Sequence, residues 1–156
     1  MKIELGALCF AVFVMAGSAS AASKTPINGG QDLTGSWRAT VTLPAGSPLC
    51  ADGCRYLALA TYTSDGTMIQ TAGIPGSSAG YGVWKRAGSR VFRAHGEYLL
   101  SGAGGVQIGI AASTIDVTLE FDGRTGVGTF TVVVDPPSLG IPPYSGSVIF
   151  DRITGD

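Results

Sequence analysis

From Ser36 onward the chain reads as short runs in which apolar and polar side chains alternate, broken by Gly, Pro, Asp and Ser. Ser36 to Leu43 sets Trp37, Ala39, Val41 and Leu43 on one face and Arg38, Thr40 and Thr42 on the other. A period of two marks a half-buried strand, because successive side chains point to opposite faces of a sheet. The pattern returns over Arg55 to Thr63, Thr67 to Thr71, Tyr81 to Arg86, Arg90 to Leu100, Val106 to Phe121, Thr125 to Val134 and Tyr144 to Ile153. Val106 to Phe121 is long for one strand and is expected to bend near Ala111-Ala112-Ser113. Nowhere does a 3.6-residue period persist long enough to define a helix.

The breaks are as informative as the runs. Ser64-Asp65-Gly66, Ala87-Gly88-Ser89 and Asp122-Gly123-Arg124 are tight hairpin turns, with Gly free to take the positive φ such turns use. Ser101 to Gly105 is a further Gly-rich turn, and Pro44 to Cys54 is a loop. Ala72 to Gly80, with Gly73, Pro75 and Gly76, is a loop suited to gating. Asp135 to Pro143 holds four prolines, and proline lacks the N–H that a central strand must donate. About eight strands joined up-and-down predict an all-β antiparallel barrel, the smallest whose interior holds one small ligand. A β-sandwich of similar strand number is the alternative.

The first residues do not belong to this pattern. Lys2, the apolar stretch Leu5 to Met15 and the small residues Ala19-Ser20-Ala21 form a secretory signal peptide over residues 1–21. The stretch falls short of the roughly 20 apolar residues a membrane span needs, so no transmembrane anchor is expected. The protein is therefore read as secreted or periplasmic. Residues 22–33 make a loosely ordered lead-in, and 34–156 a single barrel domain.

A net charge of −1 and a charged fraction of 13% speak against a nucleic-acid partner or an anionic membrane surface. Cys9 leaves with the leader, and Cys50 and Cys54 remain. An even count in an exported chain favours a disulfide, here one that fixes a turn around Asp52-Gly53. No second cysteine pair or nearby histidine completes a zinc site, and neither metal nor cofactor is expected.

The one histidine, His95, shares a strand face with Arg93 and Glu97. Two readings stay open: the three face solvent, or they enter the lumen, where Glu97 would raise the His95 pKa for acid–base work. No nucleophile-elbow or zinc-protease motif accompanies them. Asp116 and Glu120, alternating with Ile115, Val117, Leu119 and Phe121, form the ordinary pattern of a half-exposed strand. Aromatic residues with a polar tip suit an apolar pocket that orients a ligand through one or two hydrogen bonds. Tyr62, Tyr81, Trp84 and Tyr98 are the lining candidates. Ala58, Ala60, Gly82, Ala94, Gly96 and Gly128 either leave room for a ligand or let bulky neighbours interlock.

Gly35-Ser36-Trp37 at the first strand, with Arg152 on the last, resembles the opening and closing of the calycins (lipocalins, fatty-acid-binding proteins, avidins). The resemblance implies a lumen ligand. It also implies a structural pairing of Trp37 with Arg152, the guanidinium lying against the indole. Tyr62-Thr63-Ser64-Asp65-Gly66-Thr67 and Gly80-Tyr81-Gly82-Val83-Trp84-Lys85-Arg86 are similar to a widespread group of small bacterial proteins. That group has a Gly-x-Trp strand, a T-x-D-G-T hairpin and a G-x-G-x-W strand, and it implies the fold without an activity. The expected function is binding of a small apolar molecule in the lumen. Two alternatives stand beside it: a cyclase- or isomerase-like enzyme using His95, Glu97 and Arg93, and a filled barrel that acts through its loops.

Overall fold

The computed structural model describes residues 32–72 and 76–154. The expected leader, residues 1–21, and the lead-in up to residue 31 lie outside the described residues. Eight strands follow in chain order: β1 (Gly35–Leu43), β2 (Cys54–Tyr62), β3 (Thr67–Ala72), β4 (Ala79–Arg86), β5 (Val91–Ser101), β6 (Gln107–Leu119), β7 (Thr125–Asp135) and β8 (Tyr144–Arg152). Each pairs antiparallel with the next, and β8 returns to β1 with Trp37 opposite Arg152 and Thr42 opposite Ser147. The barrel is closed, and every strand is bonded on both sides. A sandwich would leave edge strands with unpaired donors; closure replaces that alternative.

The period of two sorts the side chains cleanly. Trp37, Ala39, Val41 and Leu43 point inward from β1, and Phe92 and Ala94 from β5, all buried. β6 runs unbroken through Ala111-Ala112-Ser113, and its register shift against β5 comes nearer its start, where Leu100 faces Gly109 and Ser101 faces Gln107, leaving Ile108 as the extra residue. On the outer wall Arg38, Lys85, Arg93, Glu97 and Asp151 are exposed. The same wall also exposes apolar side chains, Leu57, Leu59, Val83, Val127 and Val133 among them. Among the described residues no helix is long and apolar enough to cross a membrane.

The two ends differ. At one end the strands join by short hairpins after β2, β4 and β6. In the first, the carboxylate of Asp65 accepts from the Thr63 hydroxyl and from the Thr67 N–H and hydroxyl, which holds its pKa down to about 2. This end is plugged. Trp37 and Leu33 are fully buried, and the indole N–H donates to the Leu33 carbonyl at 2.7 Å. Leu33, the last residue of the expected lead-in, is thus core. The Arg152 guanidinium lies 4.3 Å from the Trp37 ring centre. It donates to the carbonyls of Gly123 at 2.8 Å, Thr34 at 2.6 Å and Asp32. Phe150 meets Trp37 edge-on, and Trp84 packs between Tyr62 and Phe92.

The other end carries the longer connections: 44–53, 73–78, 102–106 and 136–143. Cys50 and Cys54 are bridged within the first of these, with Cα atoms 5.9 Å apart. So short a closed loop removes little chain entropy, about 2 kcal/mol at most. Replacing both cysteines by serine is expected to lower stability in denaturant titration by about 2 kcal/mol or less. A loss beyond about 4 kcal/mol would mean that the bridge holds more than its own turn.

Candidate functional site

Glycines and alanines on the inner face divide the lumen between them. A Cβ at Gly80 would come within 2.6 Å of the Tyr98 ring, and one at Gly146 within 2.6 Å of Phe130. One at Gly96 would sit 2.4 Å from the Met68 methyl and 3.0 Å from Gln70 Nε2. These glycines let large inward side chains lie flat against the wall. Alanines do the opposite. Ala39, Ala58, Ala60 and Ala111 face a cavity of about 110 Å3 whose walls continue through Phe130 and Val132. Both uses of small residues occur in one barrel, the glycines interlocking and the alanines leaving space.

The cavity reaches toward the end with the longer connections. Tyr56, Tyr98 and Tyr144 border it there, all half-buried. Leu49 from the disulfide loop and Ile141 from the proline-rich connection complete the mouth. Of the expected gate, Ala72 to Gly80, residues 73–75 lie outside the described residues. Its second half is tied to β5: the Ser101 N–H donates to the Gly76 carbonyl at 2.8 Å, and the Ser78 N–H to the Leu99 carbonyl at 3.0 Å. Ser77 touches the cavity.

Two polar side chains sit in the cavity wall and are buried, Gln70 and Ser113. Gln70 Nε2 donates to Ser113 Oγ at 3.1 Å, and that hydroxyl donates to the Gly96 carbonyl at 3.2 Å. The bond spans from β3 to β6 because Gly82 and Gly96 leave the intervening strands bare on the inside. Burial raises the Tyr98 pKa, an effect opposed by the nearby Ser113 hydroxyl and reinforced by Tyr56 and Tyr144. Burial, then Tyr144, pushes Tyr56 up to about 12, and burial raises Tyr144 too. All three phenols stay protonated at neutral pH and can donate. Tyr62, beside Tyr98, is raised mainly by burial; its buried hydroxyl has no hydrogen-bond partner among the described residues.

Of the four lining candidates, Tyr98 borders the cavity. Tyr62 and Trp84 belong to the plug, where the Trp84 N–H donates to the Thr63 carbonyl at 2.9 Å. Tyr81 is on the outer wall, 65% exposed, in an apolar patch with Leu57, Leu59, Ile69 and Val83. Arg93, His95 and Glu97 also face out, which decides between the two readings of that face. Arg93 makes a two-point pair with Asp116 at 2.7 and 3.0 Å, and His95 lies 4.0 Å from Glu97 and 3.3 Å from Thr114. Such exposed pairs are worth little, and none of the three borders the lumen cavity. Among the described residues no group of three His, Cys, Asp or Glu is placed to hold a metal ion. Gln70, Ser113, Tyr56 and Tyr144 are the lining residues that sequence reasoning missed.

The fold and site together define a small closed barrel with one plugged end and a part-empty apolar lumen. No protein-family model matches the chain, and no curated protein matches it in sequence.

Proposed function

We propose that this protein is an exported, calycin-like barrel that binds a small, largely apolar molecule in its lumen. The cavity of about 110 Å3 beneath the Tyr56, Tyr98 and Tyr144 mouth carries this reading. An apolar space of that order suits a single ring, since a void of roughly 150 Å3 takes up benzene, and the mouth leaves room for more of the ligand beyond it. A filled barrel acting through its loops would have packed this space. An enzyme built on Arg93, His95 and Glu97 would need them inside. The contact of Arg152 with Trp37 supports the calycin likeness, and the expected leader supports export.

The neutral dye N-phenyl-1-naphthylamine, whose fluorescence rises in apolar surroundings, tests the assignment. It is expected to bind at one saturable site. Ala58→Phe, which fills the cavity from β2, should weaken binding about tenfold or more, a loss of about 1.4 kcal/mol. Thermal stability should hold or rise, because the ring fills a void instead of crowding a packed core. Unchanged affinity in the folded variant would place the dye on the outer apolar patch and reject the lumen.

A further inference from the structure

The geometry points to an uncharged ligand, an apolar ring compound bearing one hydroxyl group, seated with that group at the Gln70–Ser113 pair. This rests on the lumen-binding reading above and names the chemistry of the same site. Among the described residues, no side chain bordering the cavity is an Asp, Glu, Lys, Arg or His. A carboxylate or ammonium brought here would lose its water and meet no counter-charge, a cost of several kcal/mol. The lumen thus rejects fatty acids and amines, however apolar their tails.

Its polar groups are few and neutral, and the two that are buried, Gln70 and Ser113, sit together. Gln70 gives one amide N–H to Ser113, and Ser113 gives its proton to the Gly96 carbonyl. The Gln70 carboxamide oxygen accepts no hydrogen bond from the described residues, and so it can take a proton from a ligand. Tyr98 borders the same cavity and has a phenolic proton to give. A hydroxyl both donates and accepts, and it satisfies the two at once. A bare hydrocarbon leaves both unmatched, and a ketone matches only the donor. A site built around a hydrogen bond discriminates against the analogue that lacks it because its own buried groups then go unpaired.

A matched set separates this inference from the reading beneath it: 2-naphthol, naphthalene and 2-naphthoate, titrated at pH 7 with ligand-observed NMR. We expect 2-naphthol to bind roughly 5- to 10-fold tighter than naphthalene, as one net neutral hydrogen bond allows. The naphthoate is expected to bind more than about 50-fold weaker than 2-naphthol. Gln70→Leu should bring 2-naphthol down to the level of naphthalene and leave naphthalene unchanged. Ser113→Ala, a smaller change in the same pair, should reduce the preference in the same direction. Equal affinity for all three compounds, or a preference untouched in both variants, overturns the hydroxyl assignment and leaves lumen binding standing. Failure of all three to bind overturns both.

Discussion

Trp37→Ala is expected to cost about 3–5 kcal/mol, the range for removing a large aromatic side chain from a packed core, and to lower Tm on the order of 10–20 °C. Three losses combine. The fully buried indole leaves a hole against Phe150, which it meets edge-on at 6.3 Å. The Leu33 carbonyl loses the donor that ties residue 33 into the core. Arg152 loses the ring beneath its guanidinium, although its three carbonyl partners remain. Trp37→Phe separates these effects, keeping most of the volume and giving up the N–H, and should cost about 1–2 kcal/mol. Denaturant unfolding of both variants measures the difference. A cost below about 1 kcal/mol for Trp37→Ala would mean that the plug is not what holds the closed end.

The strands could be read from the sequence because a closed barrel buries one face of every strand and wets the other. That leaves a period of two with few exceptions, and the observed strands begin and end within about two residues of the alternating runs. Inside and outside were narrowed to two readings on β5, and the burial of Phe92 and Ala94 decides between them, placing Arg93, His95 and Glu97 outside. Height along the barrel was not legible. Alternation says which way a side chain points and nothing about which end of the lumen it reaches, since that depends on how tilted strands are staggered around the barrel.

Tyr62 and Tyr98 both point inward, yet one plugs an end and the other borders the cavity. Tyr81 and Trp84 stand three positions apart on β4 and so cannot both face in; Gly80 and Gly82 beside Tyr81 hid the phase by offering no side chain to read. A usable signal was present in the connections. Short hairpins gather at one end and the loops 44–53 and 136–143 at the other. Tyr56, two residues after Cys54, and Tyr144, directly after Pro143, adjoin those loops and therefore stand at the mouth.

Stability is expected to collapse between about pH 10 and pH 12. Tyr56, Tyr62, Tyr98 and Tyr144 all have raised pKa values in the folded protein, with burial the leading cause in each. An unfolded tyrosine ionises near pH 10. Below that pH both states hold the phenolic protons, and the contribution to stability is complete. Above it the unfolded chain gives up protons that the fold retains, so stability falls as pH rises. Two such groups, Tyr62 and Tyr98, steepen the loss by about 2.7 kcal/mol per pH unit. Tyr56 and Tyr144, nearer water at the mouth, add less.

Over this window Tyr62 and Tyr98 together remove about 5 kcal/mol, the lower end of a typical domain stability of about 5–15 kcal/mol. With the share of Tyr56 and Tyr144 added, phenolate absorbance near 295 nm should rise in one cooperative step with the loss of β signal. Tyr62→Phe isolates one contribution. It removes a buried hydroxyl that has no hydrogen-bond partner among the described residues, so stability at pH 7 should hold or rise, and the alkaline slope should drop by about 1.4 kcal/mol per pH unit. Four phenols titrating independently while the barrel keeps its stability would show that water reaches them freely, and that the lumen around Tyr98 is not the sheltered space the binding proposal requires.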